Sequence, residues 1–258
     1  MIFPLDLNIF GLVIPIHLIT DILSFYLGYR YYVYLRKESR DYLSDERRFS
    51  IIVGAAVGAL IGSRLLASLE HLDSFLHPET PLYYYANKTL VGGLIGGVIG
   101  VEITKFFFGI KTPTGDLFVF PILMGMGIGR IGCLLTGVSD GTTGNPSTIP
   151  WAFDQGDGIS RHPTSLYEII FIGFIFYLLK QFSRAKILRN GVLFRLFVVS
   201  YLLFRFAVEF IKPVETVFVG LSVIQISCFL FSLYYIYTIL FILNSRTSLN
   251  SSNVMVNQ

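Results

Sequence analysis

The sequence predicts an all-α, polytopic membrane protein. Three properties of its 258 residues lead to this fold class: 53% are hydrophobic and only 14% are charged, and the mean hydropathy is +0.64. A soluble domain carries about 25% charged residues, so this chain has too few charges for the surface of a water-soluble globule. The 24 Phe and 15 Tyr exclude a disordered chain, because such a composition must bury apolar area.

Apolar runs long enough to cross the roughly 30 Å of membrane hydrocarbon occur seven times in the sequence. The predicted spans are residues 10–34, 49–69, 89–108, 117–135, 164–181, 192–211 and 217–243. The third is the weakest, because Glu102 and Lys105 lie within it. Residues 1–243 are therefore expected to form a single helical transmembrane domain, and the polar residues 244–258 a disordered cytoplasmic tail.

The basic residues predict the direction of these spans. Fourteen Lys and Arg residues follow spans one, three, five and seven, and three lie in the other loops. Because cytoplasmic loops carry the excess of Lys and Arg, the N-terminus is expected outside and the C-terminus in the cytoplasm. The first fifteen residues contain no Lys or Arg, so a cleaved signal peptide is not expected.

Three arginines, Arg64, Arg130 and Arg205, lie inside predicted spans. Each costs at least about 2.5–3.5 kcal/mol at the membrane centre, so each is expected to face the bundle interior and meet an anion. That anion is either a protein carboxylate, in a structural ion pair, or an anionic ligand such as a lipid phosphate. The candidate acids are Asp21, Glu168 and Glu209. Arg205 and Glu209 are four residues apart, so they can partly satisfy each other.

Arg130 lies in a run of residues 125–133 that is rich in glycine. Glycine leaves room on a helix surface for a neighbouring backbone or for a ligand, and helix packing and ligand binding are equally compatible with the pattern. The same alternatives hold for Gly92 and Gly93 in the third span. Arg130 has no acid near it in sequence and is expected at the depth of the outer lipid headgroups.

Arg161 and His162 precede Pro163 at the start of the fifth span. Proline is typical of the first helical turn, and a helix N-terminus favours anions, so this segment is either a headgroup site or an interfacial anchor. The remaining histidines, His17, His71 and His77, are interpreted as ordinary interfacial residues. The cysteines and acids show no ligand spacing that predicts a metal site, and nothing predicts nucleic-acid binding.

Taken together, five segments resemble the bacterial prolipoprotein diacylglyceryl transferase family. The segments are residues 62–65, residues 91–97 with the double glycine, Gly129-Arg130-Ile131-Gly132 followed by Gly137 and Gly141, residues 162–168, and residues 201–210. They occur in family order, within seven spans and with an external N-terminus, as the family implies.

The resemblance implies a bacterial inner-membrane enzyme without a cofactor. Its members transfer a diacylglyceryl group from phosphatidylglycerol to the lipobox cysteine thiol of a prolipoprotein signal peptide and release glycerol phosphate. By match to the family, Arg130 is expected to bind the lipid phosphate. Arg205 is expected to assist catalysis, oriented by Glu209, and Arg64 to be structural. The other predicted substrate-binding residues are Arg161, Gly92, Gly93 and Gly141.

The sequence departs from the family pattern at three positions. Cys133 replaces an asparagine, Val138 replaces an acid, although Asp140 follows two residues later, and Val91 replaces the histidine before the double glycine. If that histidine is the general base, another group must accept the thiol proton.

His162 is the first candidate for this base, since neutral imidazole is available near neutral pH. Lys88 and Asp140 follow. The missing histidine also motivates an alternative function, a phospholipid-binding or transport protein on the same scaffold that does not catalyse this transfer.

Overall fold

The computed structural model describes residues 3–9, 12–39, 41, 43–70 and 87–255, with the side chains of residues 9, 12 and 245–255 excepted. His71 and His77 lie outside these residues. The helices in the described ranges are α1 (Ile16–Glu38), α2 (Asp45–Glu70), α3 (Leu90–Phe107), α4 (Val119–Thr136), α5 (Thr164–Arg184), α6 (Val192–Val208) and α7 (Val223–Met255). The strands pair as two antiparallel hairpins, β1 (Asp6–Ile9) with β2 (Leu12–Pro15), and β3 (Phe153–Asp154) with β4 (Ser160–Arg161).

Five of the described helices are long and apolar enough to cross a membrane: α2, α3, α4 with its flanking 3-10 turns, α5, and α7 as far as Asn244. This confirms the prediction of a helical, polytopic membrane protein. Helix α6 has only 17 residues, and α1 is rich in charged and tyrosine side chains. The number and direction of the spans stay predictions.

The first predicted span begins too early. Residues 6–9 and 12–15 form the paired strands β1 and β2, and α1 starts only at Ile16, directly after Pro15. The apolar run from residue 10 therefore contains a strand before the helix, and periodicity alone does not separate a short apolar strand from a helix.

The chain divides into two compact units. The first comprises residues 1–49, 112–189 and 207–215, and the second residues 50–111, 190–206 and 216–258. A single domain over 1–243 and a disordered tail from 244 stay predictions.

In the first unit, small residues let α1 pack closely against α4. A β-carbon added to Gly132 would overlap Thr20, and one added to Gly28 would lie 3.3 Å from the carbonyl oxygen of Pro121. On another face of α4, Phe120 packs edge-on against Phe176 of α5, with ring centroids 5.4 Å apart. Helix α4 is thus in contact with both α1 and α5.

In the second unit, α2 and α3 meet along two rows of glycines spaced four residues apart. The rows are Gly54, Gly58 and Gly62 on α2, and Gly92, Gly96 and Gly100 on α3. A β-carbon at any of these positions would overlap the backbone or a side chain of the opposite helix. This is the small-residue packing typical of membrane helices, in which the two backbones approach closely.

Candidate active site

Helix α4 and the turn after it carry three polar side chains to one place. Arg130 and Cys133 are three residues apart and therefore lie on the same face of α4. The helix ends at Thr136, and a 3-10 turn over Gly137–Asp140 follows. Gly137 and Gly141 have φ values of +71° and +70°, a conformation that favours glycine. The turn at Gly137 brings Asp140 back beside Cys133.

Helix α1 adds a histidine at this point. Because Thr20 packs on Gly132, His17, about one turn earlier on α1, comes to lie beside the end of α4. Its Nε2 is 3.0 Å from Oδ1 of Asp140 and 3.7 Å from Sγ of Cys133. Its Nδ1 is 3.1 Å from Oδ2 of Asp21, four residues along α1. The imidazole is therefore held between two carboxylates.

Helix α5 supplies the partner of Arg130. Nε of Arg130 lies 2.9 Å from Oε1 of Glu168, and the two side chains are only 12% and 3% exposed. Nη1 of Arg130 also lies 3.5 Å from Sγ of Cys133. Of the two counter-ions that the sequence left open, a protein carboxylate lies against Arg130, because α4 packs against α5. Binding of a lipid phosphate by Arg130 stays a prediction.

Asp140 is held in place by the start of α5. Its Oδ2 accepts a hydrogen bond of 2.6 Å from Oγ1 of Thr142, and that hydroxyl lies 3.2 Å from Oγ of Ser165. Oγ1 of Thr164 donates to the carbonyl oxygen of Thr142. The loop after α4 is thereby fixed to the first turn of α5.

These side chains form one group within the first unit, which we call the polar cluster. It consists of His17, Asp21, Arg130, Cys133, Asp140 and Glu168. The sequence predicted functional roles for Arg130 and Asp140 and named Glu168 only as a possible anion. It missed His17, although a His and an Asp at positions i and i+4 of an apolar helix are a signal that could have identified the pair.

The segment at Arg161 and His162 makes a different set of contacts. Nε and Nη2 of Arg161 each lie 2.7 Å from Oδ2 of Asp157, and the hydrogen bond from Arg161 lowers the pKa of that carboxyl group. Nδ1 of His162 lies 3.2 Å from the hydroxyl of Tyr167, which accepts a hydrogen bond of 2.8 Å from the indole of Trp151. Arg161 thus already has a carboxylate partner, and its binding of a lipid phosphate stays a prediction.

The predicted residues of α3 lie in the second unit. Gly92 is buried against the backbone of Gly62, so its observed role is helix packing. Gly93 is less crowded: a β-carbon there would lie 3.7 Å from Cβ of Ser63. Val91 is 1% exposed, and Lys88 is exposed. Substrate binding by Gly92 and Gly93 stays a prediction.

The other two intramembrane arginines differ from each other. Arg205 is 6% exposed, and Glu209, in the turn after α6, is 1% exposed. The burial of Arg205 and the low exposure of the Arg130 side chain fit the expectation that these arginines face the protein interior. Arg64 donates from Nη1 to the carbonyl oxygen of Asn87, at 3.2 Å, which fits the structural role predicted for it. Among the described residues, its two chain neighbours apart, none has an atom within 4 Å of the position of a β-carbon on Gly141, and its binding role stays a prediction.

The fold and the polar cluster define a helical membrane protein with ionisable groups gathered in its interior. The chain belongs to the prolipoprotein diacylglyceryl transferase family, which it matches over residues 2–241.

Individual relatives carry the corresponding name. Phosphatidylglycerol–prolipoprotein diacylglyceryl transferases from Bordetella parapertussis and Methylococcus capsulatus are 30% and 33% identical to this chain, over 66% and 63% of its length. These matches cover 66% and 63% of the relatives' own length, slightly less than two thirds. A relative from Idiomarina loihiensis is 29% identical over 81% of this chain and 77% of its own.

Proposed function

We propose that this protein transfers a diacylglyceryl group from phosphatidylglycerol to the lipobox cysteine thiol of prolipoproteins, in the inner membrane of a bacterium. Membership of the family and the names of the relatives support this proposal. The alternation of basic loops supports seven spans with the N-terminus outside. This topology would expose the site segment to the side on which secreted prolipoproteins emerge.

The proposed reaction makes two demands on the site. The thiol of the prolipoprotein gives its proton to a base, and the resulting thiolate attacks a glyceryl carbon of the lipid. A carbon–sulfur bond forms, the carbon–oxygen bond to the phosphate breaks, and glycerol phosphate leaves with the negative charge. The site must therefore hold a cation at the phosphate and a proton acceptor at the sulfur.

The observation that carries the proposal is the position of Arg130. It is a guanidinium whose side chain is only 12% exposed, on a glycine-rich helix, in the segment that resembles the family signature. A guanidinium has five N–H donors in a planar fork. Arg130 can therefore retain its ion pair with Glu168 through Nε while its other N–H groups donate hydrogen bonds to a phosphate. From the family resemblance, we also assign lipid binding to Gly141 and Arg161 of the first unit and to Gly92 and Gly93 of the second.

We assign the chemical steps to four residues. His162 is the first candidate for the base that accepts the thiol proton, and Asp140 is the second. Arg205 is proposed to stabilise the charge that develops on the leaving phosphate, and Glu209 to orient Arg205.

The experiment is complementation of a bacterium depleted of its own transferase, combined with an in vitro assay of prolipoprotein lipidation on phosphatidylglycerol vesicles. We expect the wild-type chain to restore growth and lipidation, and Arg130→Ala to abolish both. Arg130→Lys should also lose most activity, because an ammonium group cannot reproduce the planar fork. Arg47→Lys, at an exposed position of α2, is the matched control and should retain activity. A wild-type chain that reaches the membrane but transfers no lipid would contradict the proposal.

A second candidate function is phospholipid binding or transport without this transfer. Val91 favours it, because a buried aliphatic side chain stands where the family pattern has a histidine. This function predicts saturable binding of phosphatidylglycerol to the purified chain, no lipidation in vitro, and no rescue of the depleted strain.

A further inference from the structure

Three side chains of the polar cluster place a nitrogen, a sulfur and an oxygen atom, each able to bind a metal ion, close to one another. Nε2 of His17, Sγ of Cys133 and a carboxylate oxygen of Asp140 all lie within 4.8 Å of one another. They come from α1, from α4 and from the turn after α4, at positions 17, 133 and 140. This spacing is not a recognisable ligand motif, so the sequence predicted no metal site.

The separations of these atoms are close to those around a tetrahedral zinc ion. Bond lengths of about 2.0–2.3 Å place a nitrogen and a sulfur ligand about 3.6 Å apart, and a nitrogen and an oxygen ligand about 3.4 Å apart. The observed distances are 3.7 Å from Nε2 to Sγ and 3.0 Å from Nε2 to Oδ1. Movements of a few tenths of an ångström would bring Nε2 to the ligand separation from both Sγ and Oδ1, and the sulfur and the carboxylate oxygen already lie within 4.8 Å of each other.

Two of the three proposed ligands, His17 and Asp140, also have the hydrogen-bond partners that orient the ligands of a metal site. Nδ1 of His17 lies 3.1 Å from Oδ2 of Asp21, so that carboxylate can fix the ring and leave Nε2 for a metal. Oδ2 of Asp140 accepts the hydrogen bond from Thr142, which directs Oδ1 toward His17. Metal-binding histidines almost always donate their second N–H group to such a partner.

The charges of the polar cluster also favour a cation. It contains three carboxylates, on Asp21, Asp140 and Glu168, and one guanidinium, on Arg130. Cys133 adds a further negative charge when it coordinates as a thiolate. A divalent ion would reduce this excess of negative charge in a site where it is weakly solvated.

We propose that His17, Cys133 and Asp140 bind one zinc ion, with a fourth position available to water or to a substrate thiol. Zinc is the ion of best fit, because it accepts thiolate, imidazole and carboxylate ligands together and is commonly tetrahedral with three protein ligands and one open position. The proposal does not depend on the transferase function, since it concerns metal binding by the resting protein.

The test measures metal in the full chain, purified in detergent through an affinity tag without histidine. We expect about one zinc per chain by elemental analysis, and a thiolate-to-metal charge-transfer absorption after replacement of zinc by Co²⁺. Cys133→Ala and His17→Gln should each lose the bound metal. The matched control is Cys228→Ala, which removes a buried thiol of the second unit and should keep it.

A milder variant guards against loss of folding. Asp21→Asn preserves the ligands but weakens the outer shell, and we expect zinc affinity to fall about 10–100-fold. The proposal is overturned if the wild-type chain contains no zinc and shows no charge-transfer band with added Co²⁺. It is equally overturned if Cys133→Ala retains as much tightly bound zinc as the wild type. Since these readouts need no lipid substrate, their failure is distinguishable from failure of the transferase assay.

Discussion

The ion pair between Arg130 and Glu168 makes a quantitative prediction, because the structure joins two buried charges from different helices. The atoms Nε and Oε1 are 2.9 Å apart, and Glu168 is 3% exposed. At an effective dielectric constant of 20, unit charges at that distance attract by about 6 kcal/mol. Much of this attraction offsets the cost of removing both charges from water.

Replacing Glu168 by glutamine leaves the guanidinium buried without its counter-charge. Breaking a buried pair in this way typically costs roughly 3–5 kcal/mol. The amide oxygen of glutamine can still accept a hydrogen bond from Nε. The loss in the free energy of unfolding for Glu168→Gln should therefore lie at the lower end of this range, about 3 kcal/mol. At about 2–4 °C per kcal/mol for a chain of this size, the unfolding midpoint should fall by roughly 6–12 °C.

The assay is thermal unfolding of the purified protein in detergent, followed by fluorescence of the single Trp151, whose indole bonds to Tyr167 of α5. Asp45→Asn is the control, because Asp45 also pairs with an arginine but is 93% exposed, and exposed pairs contribute about 0–1 kcal/mol. A midpoint for Glu168→Gln within 2 °C of the wild type, by the same scale of about 2–4 °C per kcal/mol, would refute the reasoning.

A double variant separates the unpaired charge from other effects of the substitution. In Arg130→Gln with Glu168→Gln, no buried charge remains at this position, and its midpoint should lie above that of Glu168→Gln alone. A double variant that is less stable than Glu168→Gln would mean that Arg130 contributes through contacts other than the ion pair.

Three further predictions concern the packing of α2 with α3 and two ion pairs of the loops, and each is checked by unfolding in detergent. Gly96→Ala should destabilise the protein by about 1–3 kcal/mol, because its β-carbon would overlap the α2 backbone, whereas Gly93→Ala should be tolerated. Burial would raise the pKa of Asp41, but hydrogen bonds and charge from Arg48 bring it below its ordinary value of 3.8. This carboxylate therefore stabilises the fold above pH 3.8, and the stabilisation is lost as the pH falls further; Asp41→Asn should flatten this acid dependence. Asp157→Asn, which removes a partly exposed ion pair, should change the free energy of unfolding by less than about 1 kcal/mol.

The helices that the sequence predicted best are those with long, uninterrupted apolar runs. The predicted spans 49–69, 89–108, 117–135 and 164–181 each coincide with a helix, to within a few residues at most ends. The first span was placed too far toward the N-terminus, because strand β2, Leu-Val-Ile-Pro, is as apolar as a helix start. The glycine row on α2 escaped notice, since its meaning depends on the matching row on α3.

The candidate site was predictable only in part. Arg130 stood out because a guanidinium within an apolar, glycine-rich run is costly, and Asp140 because it follows the signature segment. His17 did not stand out, since an isolated histidine near a helix start has many ordinary explanations. Its proximity to Cys133 depends on the fit of Thr20 against Gly132, more than 100 residues away in sequence.

The amino-acid sequence by itself determined that this chain resides in a membrane, and it pointed to the family. Both follow from local properties, namely the length and polarity of apolar runs and the order of short motifs. Only the tertiary structure decided that Glu168 neutralises Arg130 and that a histidine and a thiol meet beside Asp140. The physical reason is that ion pairs and ligand sets act over about 3–4 Å, a distance that only the packing of α1, α4 and α5 sets for these residues.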